Sequence, residues 1–194
     1  IQKLQNIVLR DICILLETLR AHKVLKNQFN VSINISQCQF NSSTLKGELF
    51  KAIETYDVSP SQIKLEITES MLAGDLMSTV KQMEELKSQG FVFSIDDFGT
   101  GYSCLKHLSV FPIDELKIDK SFIDKVLDNA SGQSIVQSII GLGHSLDINI
   151  VAEGVESTEQ LHILKSMGVN AVQGYLFARP LTHSNYLTWH KQHQ

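Results

Sequence analysis

The sequence predicts an α/β fold, a parallel (β/α)8 barrel of the TIM type, and three observations carry that prediction. Short β-branched runs alternate with helix-periodic segments, which implies a parallel sheet with helical crossovers. Polar residues recur at the carboxyl ends of those runs, where the strands of a barrel converge on one site. No glycine-rich phosphate turn follows the first run, as an open doubly wound sheet would usually show. That open sheet is the alternative.

The opening stretch IQKLQNIVLRDICILLETLR is broken by Lys3, Arg10, Asp11 and Glu17 and predicts an amphipathic helix running to about Lys26. FNVSINIS (Phe29 to Ser36) has strand length and β-branching, Leu45 to Tyr56 has helical spacing, and IKLEITE (Ile63 to Glu69) is a second strand. Leu76, Val80, Met83 and Leu86 mark the next helix, with Gly90 where a helix C-terminus favours it. FVFSIDD (Phe91 to Asp97) leads into the loop DFGTGYS and a short helix near Cys104 to Leu108. ELKID (Glu115 to Asp119), a long helix through Ile135, Ile139, Ile140 and Leu146, and INIVAEG (Ile148 to Gly154) follow. Ser157 and Gln160 form a capping-box pattern for a helix that Gly168 closes. AVQG, the Arg179-Pro180 turn and a helix through Leu187 and Trp189 complete the chain. About six strands are countable, two short of a closed barrel. Residues 1–194 are therefore expected to form one domain whose N-terminal strands lie upstream.

With 194 residues, 43% of them hydrophobic, the chain suffices for one core. A formal net charge of -4 argues against binding DNA or RNA polymers by bulk charge, so a small anion would need a local site or a metal. Cys13, Cys38 and Cys104 are scattered and odd in number, which points to a reducing compartment without disulfides or a zinc site. No segment approaches the roughly 20 apolar residues of a membrane span, so the expected location is cytoplasmic, with any anchor elsewhere in a longer parent.

Asn34, Glu66, Asp96 with Asp97, Glu153 and Gln173 sit in or at the ends of five strands, and Lys117 lies in the sixth. Singly, such an acid more often caps the next helix, and a lone lysine more often joins an ion pair. Jointly, several carboxylates at one barrel mouth repel and lose hydration, and a divalent cation is the fitting counter-charge. Oxygen-only donors favour Mg2+ or Mn2+ over zinc. Neighbouring strand residues point to opposite faces, so Asp96 and Asp97 share a site only if the strand ends there, before Phe98-Gly99. The residues alone imply a metal-dependent enzyme acting on an anion; a barrel enzyme that enolises carboxylic acids fits them too.

VSINIS, LEITES, SIDDFGTGYSCL, ELKIDKSFI, IVAEGVES and QGYLFARPL, in this order, resemble the signature blocks of the EAL family of cyclic-di-GMP phosphodiesterases. The resemblance implies hydrolysis of cyclic di-GMP to linear pGpG with Mg2+ or Mn2+, two ions in all. It implies Asn34, Glu66, Asp96, Asp97 and Glu153 as metal ligands, Glu153 also as general base, and Lys117 as the residue that orients the attacking water. Gln173 matches an active-site glutamine and would contact substrate; for Arg179, before Pro180, the residues themselves leave open a contact to substrate phosphate or a structural salt bridge. Glu69 and Glu156 would support loops, Glu69 beneath the Asp97 to Leu105 loop that couples the metal site to homodimerisation. A sensory or GGDEF-type domain upstream is compatible with the family. The Glu-Ala-Leu strand and its nearby arginine do not occur here and are expected upstream of Ile1. The rival within the family is a silent domain that senses cyclic di-GMP or binds a protein.

Overall fold

The computed structural model describes residues 2–22, 29–73, 75–100, 108–128 and 130–193, with side chains from residue 7 onward except at 73. It divides into two compact units: Ile1–Leu65 with Glu85–Val92 and Pro180–Gln194, and Glu66–Glu84 with Phe93–Arg179.

In the first unit, helix α1 (Gln2–Ala21) buries Leu9, Cys13, Leu16 and Leu19, a stripe at helical spacing. It packs on strand β1 (Val31–Asn34) and on α3 (Leu45–Thr55), which offers Leu45 and Leu49. Its end is tied down where Arg20 Nη2 donates to the carbonyl of Asp57 at 2.6 Å. Between β1 and α3 lies a one-turn helix, α2 (Gln37–Phe40), started by a Ser36/Gln39 capping box that the strand-and-helix reading passed over. Helix α8 (His183–Gln192) carries Tyr186, whose ring lies 6.4 Å from Phe29.

Strand β2 (Ile63–Thr68) passes from the first unit into the second, and α4 (Leu76–Lys87) passes back. The second unit then holds most of β3 (Val92–Phe98), with β4 (Glu115–Ile118), α5 (Lys120–Ile123), α6 (Ala130–Ser145), β5 (Asn149–Ala152), α7 (Thr158–Ser166) and β6 (Ala171–Val172). The strands form one sheet in the order β1-β2-β3-β4-β5-β6, and β3–β4, β4–β5 and β5–β6 pair in parallel. Sheet order equals chain order throughout. A doubly wound sheet reverses its order at a switch point, so the open-sheet alternative is set aside.

Burial follows topology. Leu65, Ile67, Phe93, Ile95, Leu116, Ile118, Ile150 and Ala152 are all sequestered, and so are the intervening Glu66, Ser94, Lys117 and Val151, as expected of strands covered on both faces. Helix α6 closes on β5 at Gly143, where a Cβ would run into the Ile150 side chain. Helix α7 starts at Ser157 with the capping box expected there, and Gly168 (φ +87) follows its end in the left-handed region. Helix α1 is described to Ala21, and both its expected extension to Lys26 and the short helix near Cys104 lie largely outside the described residues. Among the described residues no helix is long and apolar enough to cross a membrane.

Candidate functional site

Parallel register brings the strand-end residues of the second unit together. Lys117 of β4 pairs with Val151 of β5, so Glu153 emerges just past the end of β5 beside it. Lys117 is buried, yet its ammonium is shared among three carboxylates, at 2.7 Å from Glu153 Oε1, 2.9 Å from Asp96 Oδ1 and 3.0 Å from Glu66 Oε1. Three strands thus supply acids to one lysine on a fourth. Burying a lone ammonium costs several kcal/mol, and only this convergence makes the position tenable.

Asp97 joins the same cluster, for a reason different from the one expected. Strand β3 does not end at Asp97 but runs through Phe98. Its register against β4 shifts between Ile95 and Phe98, and Asp97 takes the left-handed conformation (φ 53). A bulge of this kind breaks the alternation of side chains. The ligand oxygens of Asp96, Asp97 and Glu153 then lie within 4.8 Å of one another.

Three carboxylates hold one ammonium and a fourth lies beside them, and the carboxyls of Glu153 and Asp97 register the imbalance. Burial raises the Glu153 carboxyl above its ordinary value, and Asp96 and Glu66 add to the rise against the pull of Lys117. Burial also raises Asp97, reinforced by Asp96 and by Asp119, the residue that caps α5. For Lys117, burial alone would lower the value. Its hydrogen bonds to Glu153 and Asp96 and the charge of Glu66 outweigh that, so it is held above the ordinary range and stays protonated. The lysine leaves negative charge over, and every donor is a hard oxygen. These residues fit a divalent cation of the Mg2+, Mn2+ or Ca2+ type.

Beside the acids, Glu153, Gly154, Glu156, Gln173, Gly174, Tyr175 and Lys120 line one pocket. Arg179 is not in that lining; its guanidinium stacks 4.8 Å over the Tyr175 ring. Buried Glu69 accepts a hydrogen bond from the Gly99 amide at 3.1 Å, at the start of the loop whose residues 101–107 lie outside the described set. Asn34 stands at the end of β1, in the other unit, and is exposed. Sequence reasoning passed over Lys120 and Asp119. They are the first two residues after a strand that carries Lys117 one residue from its end, the position from which a barrel feeds its site, and that was the available signal.

A family model described as the EAL domain matches residues 1–180. The chain belongs to the EAL domain family. This EAL domain is 37% identical over 181 residues to NbdA, a cyclic di-GMP phosphodiesterase of Pseudomonas aeruginosa, covering 93% of this chain and 23% of that protein. It superimposes on the PaMucR phosphodiesterase in complex with c-di-GMP with a TM-score of 0.89 at 34% identity, over 95% of this chain and 74% of that one. BlrP1 of Klebsiella pneumoniae, in its manganese and cy-diGMP complex, matches with a TM-score of 0.74 at 30% identity, over 81% of this chain and 40% of that one. The strand order and these matches agree on the barrel fold of EAL domains. The chain spans about a fifth of the length of the curated relatives it matches.

Proposed function

We propose that this EAL domain hydrolyses one phosphodiester bond of cyclic di-GMP, opening the ring to linear pGpG, with Mg2+ or Mn2+ held by Glu66, Asp96, Asp97 and Glu153. Asn34 joins that ligand set on the family resemblance alone, as does a second ion. The observation that carries the reading is the ammonium of Lys117 fixed by three carboxylates beside a fourth. That constellation coincides with the chemistry named for the relatives NbdA and MucR.

A divalent ion bound here would polarise the phosphoryl oxygens and make a nearby water acidic enough to attack near neutral pH. Glu153, its carboxyl raised by burial, is suited to take the proton of that water. Lys117 cannot turn away while three carboxylates hold it, so its charge stands preorganised against the negative charge that builds on the phosphoryl group. Gln173 and Tyr175 line the pocket next to Glu153 and offer an amide and a ring face to a nucleotide. Arg179, stacked on Tyr175, adds a cation for phosphate.

The test is product formation by the intact protein with cyclic di-GMP and Mn2+, followed by chromatography. Linear pGpG should appear with metal and not after chelation. Asp96→Asn and Glu153→Gln should each lower kcat by at least about a hundredfold while circular dichroism is unchanged. Tight binding of cyclic di-GMP without turnover would move the assignment to a sensing domain. Neither binding nor turnover would overturn it.

A further inference from the structure

We infer that Lys120 is a positioning residue for Glu153, a strap whose stem and charge together hold the turn carrying that carboxylate. The inference rests on the metal-dependent reading of the site. Lys120 opens α5, directly after the Asp119 cap, and its side chain crosses to the turn that follows β5. The stem lies so close to Gly154 that a Cβ there would stand 2.6 Å from Lys120 Cδ and 2.8 Å from Lys120 Cβ, with Cγ closer still. Gly154 is in the left-handed region (φ +68), so glycine here answers to both backbone and neighbour. Beyond the crossing point the ammonium binds Asp124 Oδ1 at 2.7 Å and Glu156 Oε1 at 3.1 Å. The strap therefore leaves α5, passes over the residue after Glu153 and anchors three residues beyond it.

The other side of the turn is closed by backbone. Gln173 N donates to Ala152 O at 2.8 Å, Val155 N to Gln173 O at 3.0 Å, and Leu176 N to Val155 O at 3.0 Å. Glu153 thus sits between a main-chain ladder on one side and one lysine on the other. Its own carboxylate is held by Lys117 at 2.7 Å, an attraction that does not fix where the Glu153 backbone stands. The ion pairs of Lys120 are about half exposed and contribute little to stability. Losing them should leave the fold intact and loosen the ligand, the pattern expected of groups that orient a metal ligand from behind it.

The experiment compares Lys120→Ala, Lys120→Met and Lys120→Arg in the intact protein. It measures Mn2+ affinity of the metal-stripped protein by titration calorimetry, thermal midpoint, and kcat and KM on cyclic di-GMP. Lys120→Ala should weaken Mn2+ binding and lower kcat by about tenfold or more, with KM within about twofold of the parent. Lys120→Arg should restore both, because arginine shares the Cβ, Cγ and Cδ that cover Gly154 and still reaches Glu156 with positive charge. Lys120→Met keeps most of the stem without the charge and should fall between; it also carries the test should Lys120→Ala fail to fold. Unchanged Mn2+ affinity in both Lys120→Ala and Lys120→Met overturns the inference, as does a loss confined to KM, which would make Lys120 a substrate contact. Should the parent bind Mn2+ without hydrolysing cyclic di-GMP, the phosphodiesterase reading fails, while the calorimetric comparison still decides the strap.

Discussion

Lys117 replaces a hydration shell with three carboxylates, and each of the three relies on it in return. Lys117→Met would leave Glu66, Asp96 and Glu153 facing one another with no cation. Breaking such a buried arrangement costs about 3–5 kcal/mol, so the denaturant midpoint of metal-free protein should fall accordingly. Mn2+ should recover part of the loss by supplying the missing charge, and a midpoint unmoved by either change would sink this account. Asp97 offers a second test at the same scale. At φ 53, Asn is tolerated and a β-branched residue is not. Asp97→Asn should weaken Mn2+ binding and, by removing a partly desolvated charge that Asp96 repels, slightly raise the stability of metal-free protein, whereas Asp97→Val should lie about 1–2 kcal/mol below Asp97→Asn. Equal stability of the two variants would mean that the bulge does not require the left-handed conformation. The acids themselves were legible in the sequence because each lies within or at the end of an apolar run. The means by which Asp96 and Asp97 share a site was not, because a bulge is a matter of register against β4 and leaves no mark in SIDD.

Elements differ in how far local sequence specifies them. Helix α7 was readable from Ser157 and Gln160 alone, since a capping box is a contact among near neighbours. Strand β6, two residues long, depends on its pairing with β5, and α5, four residues long, depends on packing against α6 as well as on its Asp119 cap. Two substitutions should separate these cases. Ser157→Ala removes a local cap and should cost about 1 kcal/mol, with kcat and KM unaltered. Gly174→Ala puts a Cβ against the Val155 backbone, overlapping its carbonyl oxygen and lying 2.7 Å from its carbonyl carbon. Main chain cannot rotate aside as a side chain can, so the segments carrying Glu153 and Gln173 must separate. That variant should lower kcat on cyclic di-GMP far more than its fall in thermal midpoint accounts for. Equal kinetic effects of the two variants would show that the Gly174 contact does not position the site.

At the scale of the molecule, parallel order without reversal was predictable from alternating patterns, and it is this order that gathers acids from separate strands. The resulting excess of negative charge gives the domain a pH dependence whose sign can be worked out. Glu153 and Asp97 hold their protons above the ordinary values of 4.5 and 3.8. Between those values and the raised ones, the native state binds more protons than the unfolded chain. Stability contributed by these two groups is therefore present at low pH and declines as pH rises through that window. Lys117 acts elsewhere: its contribution is complete below its ordinary value of 10.5 and is lost only as pH climbs through its raised one. A divalent cation needs the carboxylates ionised and competes with their protons. Its stabilising effect should then be small below the window and grow above it, reaching about 2.7 kcal/mol when free metal is a hundred times its dissociation constant. The measurement is the difference in thermal midpoint with Mn2+ and with chelator, taken at intervals from about pH 4 to about pH 8, which cancels acid effects elsewhere in the chain. Ca2+ should give the same pH profile, because the profile reports occupancy and not turnover. A metal increment independent of pH would place the cation away from Glu153 and Asp97, and Asp96→Asn would then leave the increment untouched. If the increment follows the predicted rise and Asp96→Asn abolishes it, the cluster that balances itself on Lys117 in the absence of metal is the one that receives the ion.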